Sequence, residues 1–421
     1  MMNYHDFSLN DWLYELENRH IEEIQLGLNR VKSVASELNL LHFDVPVILV
    51  AGTNGKGSTI AALEAIYVGA GYQVASYTSP HLLKFNERIR INQQPISDKD
   101  LCNAFYEIQQ AQGGGLLTYF EMTTLAALWY FKSLQLDVLC IEVGMGGRLD
   151  ATNILDIDLP IITTIDLDHQ YYLGETIEEI AYEKAGILRP NTPYIFADKE
   201  IPKSICLQAN LLNADRIEYS FKIENEHLKI HPLKGHEIEL PLPTIHPNAA
   251  AAAIMATSYL SDKLPIRISD LEHGLKNVSI KGRRELIDGD VKTIFDVAHN
   301  PQSVSLLAEF LDDLNISGKI HAVFSGLKDK DLSGLIKPMK SYVDFWYPAL
   351  LDSRRASSES LLAFTFKTLE CSTHACFESP LLAYQKARDL AMPGDVIVVY
   401  GSFLTVGSVM AANLTERKEF S

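Results

Sequence analysis

Cysteine is scarce. Five residues (Cys102, Cys140, Cys206, Cys371 and Cys376) are scattered through 421 positions, an odd number without framework spacing. This excludes a disulfide-built secreted scaffold and leads us to expect reduced thiols in a cytoplasmic protein. Positive charge is in deficit: 37 Lys and Arg face 54 Asp and Glu, a net of −17, so the overall field repels nucleic acid and anionic membrane surfaces, and neither is expected as a partner. Long apolar runs are missing too. The longest uncharged stretch, Pro241 to Ser261, is broken by three prolines, His246 and Asn248 and is rich in alanine, which reads as a packed helix rather than a membrane span. No basic cluster precedes an apolar core at the N-terminus, so no secretory signal is expected. Cys371, His374 and Cys376 would make half a zinc site, but no second ligand pair accompanies them.

What is present is a globular composition, 47% hydrophobic and 22% charged, in a chain longer than one core usually organises. Short β-branched runs alternate with helical patterns, the signature of parallel βαβ units. Strands are expected at Val45–Ala51, Gln73–Thr78, Asp137–Val143 and Pro160–Ile165. A helix should follow from Thr176 to Leu188, with Thr176 and Glu179 as its capping box. A polar alternating stretch from Lys222 to Leu240 reads as a small antiparallel patch. A second strand-helix series restarts at Lys292–Val297 and runs to the strand Asp395–Tyr400. The expected fold is therefore α/β: a doubly wound, P-loop-containing N-terminal domain (1–283) and a smaller Rossmann-like C-terminal domain (284–421).

The segment Gly52-Thr-Asn-Gly-Lys-Gly-Ser58 lies between the first strand and a helix. Successive backbone N–H groups in such a turn cradle an anion, and Lys56 adds charge for outer phosphates. The common P-loop would have glycine where Val50 stands and a hydroxyl where Gly57 stands, so a metal-binding hydroxyl must come from elsewhere. In open α/β sheets the ligand crevice lies beyond the carboxyl ends of the strands. Ser79, Glu142 and His169 each follow or end an expected strand, and this hydroxyl, carboxylate and imidazole suit magnesium shared with nucleotide phosphates.

These residues carry a resemblance. Ala51–Ser58, Thr78-Ser-Pro-His81, Glu142-Val-Gly-Met-Gly-Gly-Arg-Leu-Asp-Ala-Thr-Asn153, Asp168-His169, Glu183-Lys-Ala-Gly-Ile187 and Asp296-Val-Ala-His-Asn-Pro301 resemble the folylpolyglutamate synthase / dihydrofolate synthase family, a branch of the Mur-type ATP-dependent amide ligases. Gly57 points to the folate branch. The resemblance implies ATP on Thr53, Asn54, Gly55, Lys56, Gly57 and Ser58, with Asn248, Arg283 and Asp296 completing the nucleotide site. It implies two magnesium ions, with Ser79, Glu142 and His169 as ligands and a carbamylated Lys184 for the second ion. Carbamylation needs a neutral amine, hence a lysine whose pKa is depressed by burial or nearby cations. Thr118, Tyr119, Phe120 and Glu121, with Leu149, Asp150 and Ala151, are similar to dihydropteroate-contacting segments. Phe120 suits stacking on a flat pterin, and Asp150 suits accepting its N–H groups. His299 is a candidate for placing glutamate or the phosphoryl group.

The implied activity is ATP-dependent amide ligation of L-glutamate to dihydropteroate and to reduced folates through an acyl phosphate, by a monomer. A Mur-like ligase acting on another acid and a P-loop nucleotide switch remain open alternatives. The switch would need a base-specificity loop, and Lys328-Asp-Lys-Asp331 lacks the leading Asn of the guanine motif.

Overall fold

The computed structural model describes residues 4–19, 25–113 and 115–419. Its first sheet comprises β1 (Val47–Ala51), β2 (Val74–Tyr77), β3 (Ile89–Ile91), β4 (Gln94–Pro95), β5 (Val138–Glu142), β6 (Leu159–Ile162) and β7 (Ile195–Phe196), in the spatial order β4-β3-β2-β5-β1-β6-β7. Strands β2, β5, β1, β6 and β7 run parallel, while β3 and β4 form an antiparallel edge. All residues of β1, β2, β5 and β6 are buried, as strands covered on both faces by helices must be. The chain leaves β1 for β2 and β5 on one side and returns to β6 on the other. The ends of β2, β5, β1 and β6 therefore lie side by side at the reversal of strand order.

The helix Lys56–Gly69 follows β1 and is apolar nearly all round, because helices Pro247–Tyr259 and Ile268–Asn277 pack against it. Its buried charge is Glu64, paired with the Arg90 guanidinium of β3 at 2.8 Å and accepting from the Ser76 hydroxyl at 2.9 Å. Arg90 also donates to the Thr78 hydroxyl at 3.0 Å. Removing Glu64 or Arg90 would strand the charge of the other, at about 3–5 kcal/mol. The network thus fixes the chain just before Ser79. Two expectations need adjustment. The strand at Pro160–Ile165 ends at Ile162, because beyond it Thr163 and Thr164 bond the end of β1 and the Gly52 loop through side chains as well as backbone rather than in a regular ladder. The helix after Thr176 spans Ile177–Ala185, with the Thr176/Glu179 capping box in place. The polar stretch forms an antiparallel sheet of β8 (Phe221–Glu224), β9 (His227–Ile230) and β10 (Ile238–Pro241).

The chain divides into two compact units, Met1–Pro80 with Asn86–Ser279, and His81–Phe85 with Ile280–Ser421. The second holds β11 (Glu285–Ile287), β12 (Lys292–Asp296), β13 (Ile320–Phe324), β14 (Phe345–Pro348) and β15 (Val396–Tyr400), ordered β11-β12-β15-β13-β14, with only β11 antiparallel. Alternation splits its core in two. Ile294, Ala322, Phe324, Val398 and Tyr400 enter one hydrophobic cluster, while Phe295, Val323, Ile397 and Val399 enter the other. Each fully buried Val, Ile or Phe among them contributes about 1.5–3 kcal/mol over its exposed state.

Candidate active site

The loop after β1 is held open by its neighbour. Thr53 N donates to the Thr164 carbonyl at 2.7 Å, Asn54 N to the Thr164 hydroxyl at 3.1 Å, and the Thr163 hydroxyl to the Asn54 carbonyl at 2.6 Å. Gly52 sits at φ 146°, and a Cβ there would lie 1.7 Å from the Thr163 hydroxyl oxygen. Gly55, at φ 88°, starts the helix in the left-handed region. Two lysines converge on the Gly52 carbonyl: Lys56 Nζ donates to it at 3.0 Å and Lys184 Nζ at 2.9 Å. Lys56 also donates to the Thr53 carbonyl at 3.2 Å. Burial, reinforced by the Lys56 charge and opposed by Asp168 and Asp150, brings the Lys184 pKa down to about 7. The amine is therefore largely neutral at mildly alkaline pH, as carbamylation requires.

Glu142 ends β5 and is buried. Its Oε2 accepts from Ser79 N at 3.2 Å and would lie 3.6 Å from a Cβ on Gly57, so the structure brings Gly57, Ser79 and Glu142 together. His169 follows β6 with left-handed backbone (φ 52°, ψ 36°), its N bonded to Asp168 Oδ1 at 2.8 Å and its Nε2 3.7 Å from Asp168 Oδ2. Among the described residues no group of three His, Cys, Asp or Glu side chains could hold a metal by itself. The donors here suit magnesium, which typically takes one or two carboxylates and fills its remaining positions with phosphates and water.

On the same unit, Thr118 caps the helix Tyr119–Lys132 and shares a capping box with Glu121, which pairs with Arg30 at 3.1 Å. The polar ends of Thr118 and Glu121 are thus committed to holding the helix terminus. Phe120 is half-buried in the first turn, its ring centroid 6.0 Å from that of Tyr77. Arg88 lies over the Tyr119 ring at 5.4 Å. Asp150 is buried, with Oδ1 accepting from Thr152 N and the Thr152 hydroxyl, and Oδ2 from Met145 N at 2.8 Å. Burial raises its pKa and these bonds oppose the rise. Leu149 is half-buried and Ala151 buried on either side of it.

No local pattern along the chain marks the clamp at Gly147. A Cβ there would lie 3.0 Å from the carbonyl oxygens of Glu183 and Lys184. The next residue, Arg148, bonds Glu183 through its N at 2.7 Å and through its guanidinium at 2.8 Å. The last turn of the helix carrying Lys184 is therefore seated on the glycine run. Asn248 lies in the first turn of the helix Pro247–Tyr259, its N donating to His246 Nδ1 at 3.2 Å.

In the second unit, Asp296 ends β12, buried, with Oδ2 accepting from Arg284 N at 2.9 Å and Oδ1 from Ala298 N at 2.7 Å. Burial raises its pKa, and the Arg283 charge is the largest opposing influence. His299 Nδ1 stands 2.9 Å from the Val297 carbonyl and its ring 5.8 Å from Phe403. Asn300 caps the helix Pro301–Asp313.

Residues 282–403 match the family described as Mur ligase, glutamate ligase domain. The dihydrofolate synthase/folylpolyglutamate synthase of Escherichia coli K12 is 40% identical over 408 residues, covering 96% of this chain and 94% of that protein. The structure of E. coli FolC in complex with DHPP and ADP has a TM-score of 0.92 at 37% identity, covering 98% of this chain and 99% of that one. A bifunctional folylpolyglutamate synthase/dihydrofolate synthase with Mn, AMPPNP and L-glutamate bound has a TM-score of 0.88 at 38% identity, covering 97% and 98% of the two chains.

Proposed function

The chain belongs to the dihydrofolate synthase/folylpolyglutamate synthase family, and we propose that it ligates L-glutamate to dihydropteroate and to the glutamate tail of reduced folates, using ATP. The observation that carries the reading is the convergence of Lys56 and Lys184 on the Gly52 carbonyl, with Glu142 beside Gly57 of the same loop and accepting from Ser79 N. A carboxylate oxygen of the folate substrate attacks the γ-phosphorus and ADP leaves. The glutamate nitrogen then attacks the acyl carbon, loses a proton and expels phosphate. Lys56 follows the negative charge on the phosphoryl oxygens, and no protein nucleophile is needed.

The donor chemistry fits a divalent ion. Ser79, Glu142 and His169 would hold one and a carbamate on Lys184 a second, and such ions neutralise phosphate charge when bound. For the carbamate, the neutral Lys184 nitrogen adds to carbon dioxide and releases a proton. Thr53 to Ser58, Asn248, Arg283 and Asp296 are assigned to the nucleotide, His299 to glutamate or the phosphoryl group, and the segments Thr118–Glu121 and Leu149–Ala151 to the pterin. Residues 1–283 form the nucleotide domain and 284–421 the ligase domain, a division supported by the family match beginning at residue 282. No helix among the described residues is long and apolar enough to cross a membrane, and five free cysteines support a cytoplasmic setting.

The test is phosphate release from ATP with dihydropteroate and glutamate supplied together, singly or not at all. Release that requires both supports the reading, and release indifferent to both overturns it.

A further inference from the structure

We propose that Gly144 is a positioning residue for Phe120: by lacking a side chain it sets the depth at which the ring can present its face to the pterin of the folate substrate. The proposal rests on the assignment of Phe120 to the pterin made above.

A Cβ on Gly144 would stand 2.4, 2.7 and 2.8 Å from Cζ, Cε2 and Cε1 of Phe120, the outer edge of the ring and closer than carbon atoms approach without bonding. Gly144 does not have the left-handed φ that would itself call for glycine; the ring requires the vacancy. Neither wall yields. Asp150, buried, accepts hydrogen bonds from Gly144 N and from Met145 N at 2.8 Å, which pins the glycine backbone. On another side stands Tyr77, 1% exposed, its hydroxyl 3.2 Å from that of Thr124. The Phe120 backbone is fixed by the Thr118/Glu121 capping box.

With alanine at 144 the one soft coordinate is the pair of Phe120 side-chain torsions, which swing the half-exposed ring outward. Because the ring tip can move, the fold tolerates the change. The stacking plane moves with it, and the substrate registers that movement.

A double-mutant cycle separates this role from a general loosening. Dihydropteroate binding is measured by calorimetry with AMPPNP and magnesium for wild type, Gly144→Ala, Phe120→Ala and the double variant. Each single change is expected to weaken dihydropteroate about tenfold, the loss of one aromatic stacking contact. The double variant should bind no worse than Phe120→Ala alone, and the KM for ATP should stay within about twofold of wild type in all. Additive losses would show that Gly144 acts through something other than the ring and overturn the proposal. Wild-type affinity in Gly144→Ala with weak binding in Phe120→Ala overturns it while leaving Phe120 on the pterin. Wild-type affinity in Phe120→Ala removes that assignment and the proposal with it. If Gly144→Ala does not fold, recovery of folding by adding Phe120→Leu supports the contact, and no recovery overturns it.

Discussion

The loop at Gly52–Ser58 and the loop at Gly144–Asp150 leave neighbouring strands, β1 and β5, and use glycine for different ends. In the first, Gly52 and Gly55 have φ of 146° and 88°, so glycine shapes the turn that leads into the helix bearing Lys56, the loop proposed above to hold the nucleotide. In the second, Gly144 and Gly147 have no such φ. They are glycines because Phe120 crowds one and the Glu183 and Lys184 carbonyls crowd the other. The first loop uses glycine for its own backbone conformation, whereas the second, apart from Gly146 at φ 67°, uses it to admit a ring at one position and two backbone carbonyls at another. A change at Lys56 in the first loop should therefore be read mainly in catalysis, and changes at Gly144 and Gly147 in the second in stability and in whichever partner is displaced.

The largest expected effect is on the Lys56 charge. Lys56→Ala should lower turnover by about a hundred- to a thousandfold with a smaller proportionate change in thermal midpoint, since the Gly52 carbonyl that Lys56 bonds keeps a second donor in Lys184. Phosphate-release kinetics and a melting curve check both halves. Turnover near wild type would remove the anion role of the first loop and dissolve the contrast.

Gly147→Ala should instead be felt in folding. Backbone carbonyls cannot swing aside as a ring can, so we expect a loss of about 1–3 kcal/mol in denaturant unfolding, more than for Gly144→Ala. Equal costs for the two would mean that the Phe120 ring is as rigid as the end of the helix Ile177–Ala185.

How far each loop was legible follows from the same distinction. The glycine-lysine turn between a strand and a helix is local, and so are the Thr176/Glu179 capping box and the apolar runs of β1 and β5; all could be read along the chain. Thr163, Thr164 and Ile165 looked like strand because they are β-branched, and only the Gly52 loop across from them explains why β6 stops at Ile162. Thr118 and Glu121 carry the pterin assignment, and their spacing is also that of a helix cap, which they form. The helix Phe403–Glu419 and the edge strand β11 went unread, and so did the grouping of His81–Phe85 with the second unit. That grouping rests on neighbours distant in sequence, such as Leu82 beside Gly282 and Gly407, which no local pattern encodes.

A pH-dependent effect tests the lysine that both loops reach, one through the Gly52 carbonyl and the other through Gly147. The folded pKa of Lys184 is about 7, against an ordinary 10.5. Between those values the unfolded chain binds a proton that the folded chain does not, so stability rises with pH across this window. As pH falls to about 7 that contribution is lost. Unfolding midpoints from pH 7 to 10, with metal chelated and carbon dioxide excluded, should climb more steeply in wild type than in Lys184→Met. Parallel curves would show that the amine is not held neutral.

The smallest effect is expected at Gly57, where the two loops meet through Glu142. A methyl there would sit 3.6 Å from the Glu142 Oε2, an ordinary contact, and Gly57 already lies within the helix Lys56–Gly69. Alanine should raise helix stability by up to about 1 kcal/mol, the opposite sign to Gly147→Ala, because neither φ nor a close neighbour demands glycine here. The methyl would nevertheless flank the carboxylate oxygen assigned to the metal. The magnesium concentration for half-maximal turnover should therefore rise by about two- to threefold, with the KM for dihydropteroate unchanged. Gly57→Ser restores the hydroxyl that a common P-loop carries and should need less magnesium than Gly57→Ala at similar stability. If alanine unfolds the protein, the first loop is as tightly packed as the second and the contrast fails. If serine and alanine give the same magnesium curve, the oxygen beside Gly57 does not face the ion.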